Sequence, residues 1–262
     1  MVMNSPIGIF DSGLGGLSVL NEVRKTIPNE SIIYFGDSAW CPYGVRKADE
    51  IQQRVFQVTD FLIEQGCKLI IVACNSATIA AVEALRATYP LPFIGMEPGV
   101  KPAAKLTKSG TVGILATEAS LAGEKFHRLV DTHAGDIKVI TRPCPSFVEL
   151  VEAGEISGDH ARKIIEGEIL PLLDAGADVL VLGCTHYPFL RPLIKDISGP
   201  KVAIVDTSDA VAIQAKSILQ NKCKPATPSF QIHTSGSLEH LERILPMLCP
   251  TLSANLYHRD LT

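Results

Sequence analysis

Long apolar runs are missing from this sequence of 262 residues. The best candidate, Leu69–Cys74, is bounded by Lys68 and Asn75, whereas a membrane-spanning helix needs about 20 consecutive apolar residues. Lysine and arginine are also missing before Arg24, so the amino terminus lacks the charged segment of a secretory signal. We therefore expect neither membrane insertion nor export.

A strong excess of positive charge is absent as well. The 24 lysines and arginines oppose 28 aspartates and glutamates, which gives a formal net charge of −4. This balance is too mild for the basic surface of a nucleic-acid-binding protein. The composition, with 46% hydrophobic and 20% charged residues, is typical of a globular protein and excludes a disordered chain.

Closely spaced cysteine pairs are the third absence. The chain has seven cysteines, an odd number, and none of them forms a Cys-x-x-Cys motif. A disulfide framework is therefore not expected, and free thiols indicate a reducing compartment, the cytoplasm. The one tight Cys/His pair, Cys184 and His186, has no second pair at zinc-finger spacing, so no metal site is predicted.

The sequence does contain short apolar runs, most of them separated by stretches with helical periodicity. Such alternation is typical of a mostly parallel sheet covered by helices on both faces. Linker-like composition appears at Pro90–Pro102 and around Lys222–Pro228. The predicted strands are Ile7–Phe10, Ser31–Phe35, Leu69–Ala73, Phe93–Gly95, Val112–Leu115, Ile137–Ile140, Val179–Leu182, Val202–Val205 and Phe230–His233.

An internal repeat distinguishes between two architectures. The segment Gly66–Asn75 aligns with Gly176–Thr185, and Ile7–Ser12 aligns with Val112–Thr117, in the same order along the chain. The chain length and strand number also permit a single eight-stranded α/β barrel. Two matches at nearly equal offsets favour duplicated α/β lobes over the barrel.

Cys74 and Cys184 occupy matching positions in this repeat, at the carboxyl ends of two predicted strands, where parallel sheets bind ligands. Each is followed by polar residues and is expected to begin a helix, whose N–H groups and dipole favour a thiolate. Two facing thiols suit a redox disulfide, although that chemistry normally uses adjacent cysteines. They also suit two bases on opposite faces of one carbon, the arrangement that inverts a stereocentre.

A glycine-rich loop, Asp11–Ser18, follows the first strand and opens a helix that is predicted to run to about Ile27. Ser18 replaces the third glycine of a dinucleotide-binding motif, which weakens that interpretation. Asp11 and Ser12 are interpreted as binding a substrate ammonium group or assisting a thiol. His186 can reach Cys184 on a turn. The other histidines are expected to be surface or satisfied core residues: His127, His133, His160, His233, His240 and His258.

Four motifs are distributed along the chain: Ile9–Gly16, Gly36-Asp37 with Pro42-Tyr43-Gly44, Ala73–Thr78 and Gly183–Pro188. Together they resemble the glutamate racemases, a family of cofactor-independent amino-acid racemases of bacterial cell-wall synthesis. Relatives acting on aspartate or hydantoins usually lack the His and Tyr-Pro that follow Cys184-Thr185 here.

The resemblance implies an α/β fold of two pseudosymmetric lobes, each a mostly parallel sheet flanked by helices, with the active site between them. Residues 1–97 and 208–262 would form the first lobe, and residues 98–207 the second. The implied enzyme is an isomerase that interconverts L- and D-glutamate without cofactor or metal and supplies D-glutamate for peptidoglycan. Glutamate is the expected partner, without nucleic acid or membrane, and a homodimer remains open.

The resemblance also assigns roles to individual residues. Cys74 would be the base for D-glutamate and Cys184 the base for L-glutamate. Asp11 would assist Cys74, and His186, with Glu152, would assist Cys184. The implied substrate-binding residues are Asp11, Ser12, Tyr43, Gly44, Asn75, Ser76, Thr185 and His186, with Thr117 as a further candidate.

Two positions depart from the family pattern. Ser76 stands where threonine is usual, and it keeps the hydroxyl group. Glu149 stands where proline is usual, so either Glu149 or Glu152 could face the site. Two other functions stay open: a racemase of aspartate or another amino acid, and a catalytically idle binding protein with the same fold.

Overall fold

Two parallel β-sheets organise the chain, and each lies in its own compact unit. The first unit holds the residues up to Met96 and those from Ser208 onward, and the second holds Glu97–Thr207. In the described part of the chain, no helix is long and apolar enough to cross a membrane.

The computed structural model describes residues 5–219 and 227–261. The strands are β1 (Ile7–Asp11), β2 (Ile32–Gly36), β3 (Leu69–Val72), β4 (Phe93–Gly95), β5 (Thr111–Ala116), β6 (Lys138–Pro143), β7 (Val179–Leu182), β8 (Ala203–Val205), β9 (Phe230–Thr234) and β10 (Asn255–His258). The α-helices are α1 (Leu17–Thr26), α2 (Ala48–Glu64), α3 (Asn75–Thr88), α4 (Val100–Leu106), α5 (Glu118–Ala122), α6 (Glu124–His133), α7 (Pro145–Ala153), α8 (Asp159–Asp174), α9 (Arg191–Ser198), α10 (Ser208–Leu219) and α11 (Leu238–Leu248). Short 3-10 turns lie at Ser38–Trp40, Tyr43–Val45 and Tyr187–Leu190.

The two linker-like stretches have different outcomes. Pro90–Pro102 contains β4 and the start of α4, and the boundary between the two units falls inside it. Of the stretch Lys222–Pro228, residues 222–226 lie outside the described residues.

The two sheets repeat one topology. The sheet of the first unit has the order β10-β9-β2-β1-β3-β4, and that of the second unit has the order β6-β5-β7-β8. All described strand pairs are parallel. The order β2-β1-β3-β4 in one sheet therefore corresponds to β6-β5-β7-β8 in the other. Two separate sheets exclude the single-barrel alternative and confirm the predicted α/β fold.

The strand register confirms the sequence repeat. Ile7 lies opposite Leu69 in the first sheet, and Val112 lies opposite Val179 in the second. The sequence repeat aligns Ile7 with Val112 and Leu69 with Val179, so equivalent residues occupy equivalent positions in the two sheets. The glycines before the two aligned strands, Gly66 and Gly176, both have positive φ, 77° and 94°, a conformation in which a side chain is strained. The duplication thus extends to the helix-ending turns.

Burial explains why the central strands of the first sheet could be predicted. Every residue of β1 and β3 is buried, as expected for central parallel strands covered on both faces. Among the described residues, the strand that the sequence did not predict is β10, an edge strand in which only Leu256 is partly buried. It pairs with β9, so the end of the described chain returns to the first unit.

His233 in β9 corrects one expectation in part: it is a buried core histidine, but among the described residues only one of its ring nitrogens has a partner, Nε2, which lies 3.4 Å from Gln231 Oε1. It is 8% exposed, and its ring stacks on Tyr257 with centroids 4.8 Å apart. Its Nδ1 atom is buried without a hydrogen-bond partner in the described part of the chain. Burial, together with the charge of Arg259, lowers the pKa of His233 from 6.5 to about 4.

This buried histidine predicts acid sensitivity. Below its unfolded pKa of 6.5, the unfolded chain binds a proton that the folded protein takes up only near pH 4. The free energy of unfolding should therefore fall as pH drops from 6.5 towards 4, by up to about 3 kcal/mol. Urea unfolding of His233→Phe at several pH values should show a shallower decline than that of the wild type. The exposed control His127→Gln should keep the full decline, and an unchanged decline in His233→Phe would contradict the assignment.

Candidate active site

Cys74 lies at the carboxyl end of β3 in the first unit and is 6% exposed. The chain is held there by Ala73, whose backbone N–H donates to the Phe10 carbonyl at 2.8 Å. Cys74 is the N-cap of α3, and its Sγ accepts a hydrogen bond from the Ala77 N–H at 3.5 Å. The predicted placement of this sulfur at a helix start is therefore confirmed, and the helix N-terminus favours its negative charge.

Asp11 is the last residue of β1, the strand that neighbours β3, and Ser12 follows it. The Ser12 hydroxyl lies 3.8 Å from the Cys74 sulfur. Asp11 is fully buried, and its Oδ2 accepts from the N–H groups of Gly16 at 2.9 Å and Gly13 at 3.3 Å. A Cβ at Gly16 would lie 2.6 Å from that of Asp11, so the loop closes on the carboxylate only with glycine there. The loop thus binds a carboxylate of its own chain.

The other predicted site residues of this unit are all buried. Asn75 and Ser76 form the first turn of α3 directly after Cys74, and Tyr43 and Gly44 lie in a 3-10 turn. Tyr43 and Cys74 belong to one packed hydrophobic cluster. In the first unit, Ser12 thus contacts the Cys74 sulfur, Asn75 and Ser76 follow Cys74 directly, and Tyr43 lies in the same buried cluster.

Cys184 is the counterpart of Cys74 in the second unit and is 7% exposed. It follows β7, and the N–H of Gly183 donates to the Leu115 carbonyl at 2.7 Å, as Ala73 does to Phe10. The prediction that Cys184 begins a helix is wrong. Pro188 has no N–H to donate to the Cys184 carbonyl, so an α-helical turn cannot form there; Tyr187 donates instead, at 3.1 Å, and a 3-10 turn follows.

His186 connects Cys184 to a carboxylate. Its Nδ1 lies 3.6 Å from Cys184 Sγ, and its Nε2 lies 2.7 Å from Glu152 Oε1. His186 is 2% exposed, so this contact is largely shielded from water. Glu149 is exposed, which settles the alternative that the sequence left open: Glu152 is the carboxylate that contacts His186.

The two threonines predicted in this unit differ in their surroundings. Thr185 is buried beside Cys184. Thr117 follows β5, next to β7, and is half-buried. It caps α5, because its Oγ1 accepts from the Ser120 N–H at 3.2 Å and donates to the Ser120 hydroxyl at 2.9 Å. The repeat aligns Thr117 with Ser12, so both units carry a hydroxyl at the same strand end.

The comparison with known families decides the membership of this chain. The model of the Asp/Glu/Hydantoin racemase family matches residues 14–215. The chain belongs to this family. The resemblance inferred from the motifs is thus confirmed.

Individual members of the Asp/Glu/Hydantoin racemase family resemble the chain over nearly its whole length. A glutamate racemase from Herpetosiphon aurantiacus is 49% identical over 245 residues, which cover 92% of this chain and 96% of that protein. The structure of Escherichia coli glutamate racemase in complex with L-glutamate and the activator UDP-MurNAc-ala has a TM-score of 0.89 at 30% identity, with 98% and 99% of the two chains covered. Francisella tularensis glutamate racemase in complex with D-glutamate gives 0.85 at 30% identity, with 99% of each chain covered.

A buried polar network that the sequence did not predict includes Tyr43 of this racemase-family chain. Its centre is Asp37, which follows β2 and is fully buried. Asp37 Oδ2 accepts from the Tyr43 hydroxyl at 2.5 Å and from Arg54 Nε at 2.8 Å. Its Oδ1 accepts from Arg54 Nη2 at 2.8 Å and from the Ser235 hydroxyl at 2.7 Å. These four donors saturate the Asp37 carboxylate with partners from its own chain.

Arg54 carried a signal that could have revealed this network. It lies on the buried face of α2, among Ile51, Val55 and Val58, where an arginine is expected only with a buried partner. Burial, followed by the charge of Asp37, raises the pKa of Tyr43 well above 10. The Tyr43 phenol therefore stays protonated and donates to Asp37.

Proposed function

We propose that this chain interconverts L- and D-glutamate without a cofactor, with Cys74 and Cys184 as the two acid–base groups. The observation that carries the proposal is the equivalent position of the two buried thiols, at the ends of β3 and β7 in two copies of one topology. The relatives at up to 49% identity are named glutamate racemases. Related structures hold L-glutamate in one case and D-glutamate in another.

The proposed reaction moves one proton onto the enzyme and another onto the substrate. With D-glutamate, the Cys74 thiolate removes the α-proton, and the bond electrons remain on the α-carbon as a carbanion. The Cys184 thiol then donates its proton to the opposite face, which yields L-glutamate and a Cys184 thiolate. L-glutamate reacts by the reverse sequence. A cysteine acts as a base in its thiolate form and as an acid in its thiol form, so the same two groups serve both directions.

Different groups would support the two thiols. We propose that Asp11 assists Cys74, with Ser12 in contact with the sulfur at 3.8 Å. On the other side, Glu152 would accept the Nε2–H of His186, which leaves Nδ1 to exchange a proton with Cys184 at 3.6 Å. A histidine held by a carboxylate in this way has a defined tautomer and stabilises the protonated ring.

Substrate recognition is proposed to use the polar groups that follow the strands. In this proposal, residues 1–97 with 208–262 supply one thiol, residues 98–207 supply the other, and both thiols act on one bound glutamate. Hydroxyl, amide and backbone groups would hold its carboxylates, and Asp11 would hold its ammonium group. The proposed binding residues are Asp11, Ser12, Tyr43, Gly44, Asn75, Ser76, Thr185 and His186, with Thr117 as a further candidate.

The proposed biological setting follows from the product. D-glutamate is a building block of peptidoglycan, so we propose that the enzyme supplies cell-wall synthesis from the cytoplasm. The cysteines in the described part of the chain are all free, which suits a reducing compartment. A homodimer remains a prediction.

The deciding experiment follows the optical activity of enantiopure glutamate. Protein treated with a chelator and given no cofactor should bring the circular dichroism of L-glutamate and of D-glutamate to zero. The same assay with aspartate and other enantiopure amino acids tests the alternative substrate, which should react far more slowly. Glutamate binding in calorimetry without any loss of optical activity would instead support an idle binding protein.

A further inference from the structure

Arg54 makes more contacts than its ion pair with Asp37 requires. Its side chain is 4% exposed. Nη1 donates to the Leu261 carbonyl at 2.6 Å and to Gln57 Oε1 at 3.1 Å, and the Trp40 ring lies 5.2 Å from its guanidinium carbon. The guanidinium thus joins α2, the loop after β2 and the end of the described chain.

Stability alone is a weak reason for such an arrangement. Burying two charges has a desolvation cost that their attraction often only balances, so an apolar replacement of the pair can be neutral. What the pair does provide is orientation, because a bidentate guanidinium fixes the plane of the carboxylate. Here the fixed carboxylate is the acceptor of the Tyr43 hydroxyl at 2.5 Å.

We propose that Arg54 is a positioning residue of the substrate site, which acts through Asp37 to hold Tyr43 against Cys74. The inference deepens the proposed function and rests on it for the role of Tyr43 and Gly44 in glutamate binding. Tyr43 and Cys74 pack in the same cluster, and the phenol is committed to Asp37. In this proposal the Tyr43 hydroxyl does not bind glutamate. Tyr43 instead acts through the position of its ring, which fixes the 3-10 turn that contains Gly44.

The test is a double-mutant cycle with Arg54→Lys, Tyr43→Phe and the combination of both. Arg54→Lys keeps the charge and removes the two-pronged geometry. It should raise KM for both enantiomers about 10-fold, the usual effect of a lost charge-assisted hydrogen bond, and change kcat little. Tyr43→Phe alone should also raise KM, and in that background Arg54→Lys should have a further effect of at most about 2-fold. The exposed control Arg86→Lys, from an ion pair with Glu83, should match the wild type.

A second readout does not depend on glutamate. Cys74 is only 6% exposed. Release of Tyr43 should therefore speed the alkylation of Cys74 by iodoacetamide several-fold, because the reactivity of a thiol rises with its exposure to the reagent. Cys184 in the same protein serves as the internal reference and should react at its wild-type rate. Mass spectrometry of the two cysteine peptides measures both rates.

The outcomes separate the two proposals. An unchanged KM in folded Arg54→Lys, or an equal rise in the Tyr43→Phe background, overturns the positioning role. If Arg54→Lys does not fold, Tyr43→Phe decides alone, since it leaves the ion pair intact; wild-type KM and wild-type Cys74 alkylation in that variant overturn the inference. A wild-type protein that fails to racemise glutamate refutes the proposed function, and the alkylation rates still test whether Arg54 holds Tyr43.

Discussion

Each thiol variant should keep one half of the reaction and lose the other. Cys74→Ala should exchange the α-proton of L-glutamate, and only of L-glutamate, with deuterated water. Cys184→Ala should exchange only that of D-glutamate. Net racemisation should fall by at least about 10³-fold in both, because no group remains to protonate the opposite face.

The physical reason is that a thiolate can return a solvent-derived deuteron only to the face from which it took the proton. Exchange with retention of configuration is therefore the expected signature of a remaining single base. Loss of the α-proton signal in NMR and chiral chromatography of the same samples measure exchange and inversion separately. Exchange of both enantiomers in either variant would contradict the assignment of one thiol to each face.

Cys67→Ala is the matched control for these variants. Cys67 precedes β3, at the end of the strand opposite to Cys74, and burial raises its pKa to about 12. A thiol that stays protonated at neutral pH cannot act as a base, so this variant should racemise glutamate at the wild-type rate. Any loss should appear in unfolding experiments instead, since the removed sulfur packs beside Gly8.

Much of the fold could be predicted because each half of the repeat consists of short, continuous sequence segments that can be aligned directly. The strands β1, β3, β5 and β7 are continuous apolar runs, and their alignment correctly anticipates the register that Ile7 and Val112 adopt. A helix start at Cys74 was also predictable. The different turn after Cys184 arises because Pro188 cannot donate to the Cys184 carbonyl. The prediction extended the helix start at Cys74 to Cys184 by symmetry and did not consider this local effect.

The remaining features depend on contacts between distant segments. Asp37 accepts hydrogen bonds from Arg54 on α2 and from Ser235, which lies far along the chain. The sequence contains these polar residues but does not indicate that they contact one another. His233 could not be distinguished from a satisfied histidine, because its stacking on Tyr257 requires β10, an edge strand without an apolar run. Likewise, the choice of Glu152 over Glu149 depends on the position of His186.

The pair formed by His186 and Glu152 leads to the second large expected effect. His186→Asn should lower kcat/KM by about 10²–10³-fold, because it removes the group that exchanges a proton with Cys184. Glu152→Gln should cost about 10-fold, since it loosens the orientation and charge balance of the imidazole. Glu149→Gln, three residues away on the same helix and exposed, should leave kcat/KM unchanged and so controls for charge.

Isotope effects are needed to show which of the two proton transfers His186 assists, because kcat/KM alone cannot distinguish them. The two enantiomers have equal free energy, so any variant must lower kcat/KM by the same factor in both directions. Loss of His186 should make the proton transfer at Cys184 rate-limiting. The primary deuterium isotope effect on kcat/KM should then rise for α-deuterated L-glutamate and fall for α-deuterated D-glutamate. Asp11→Asn should produce the opposite pattern through Cys74, and identical patterns in both variants would mean that neither group serves one particular thiol.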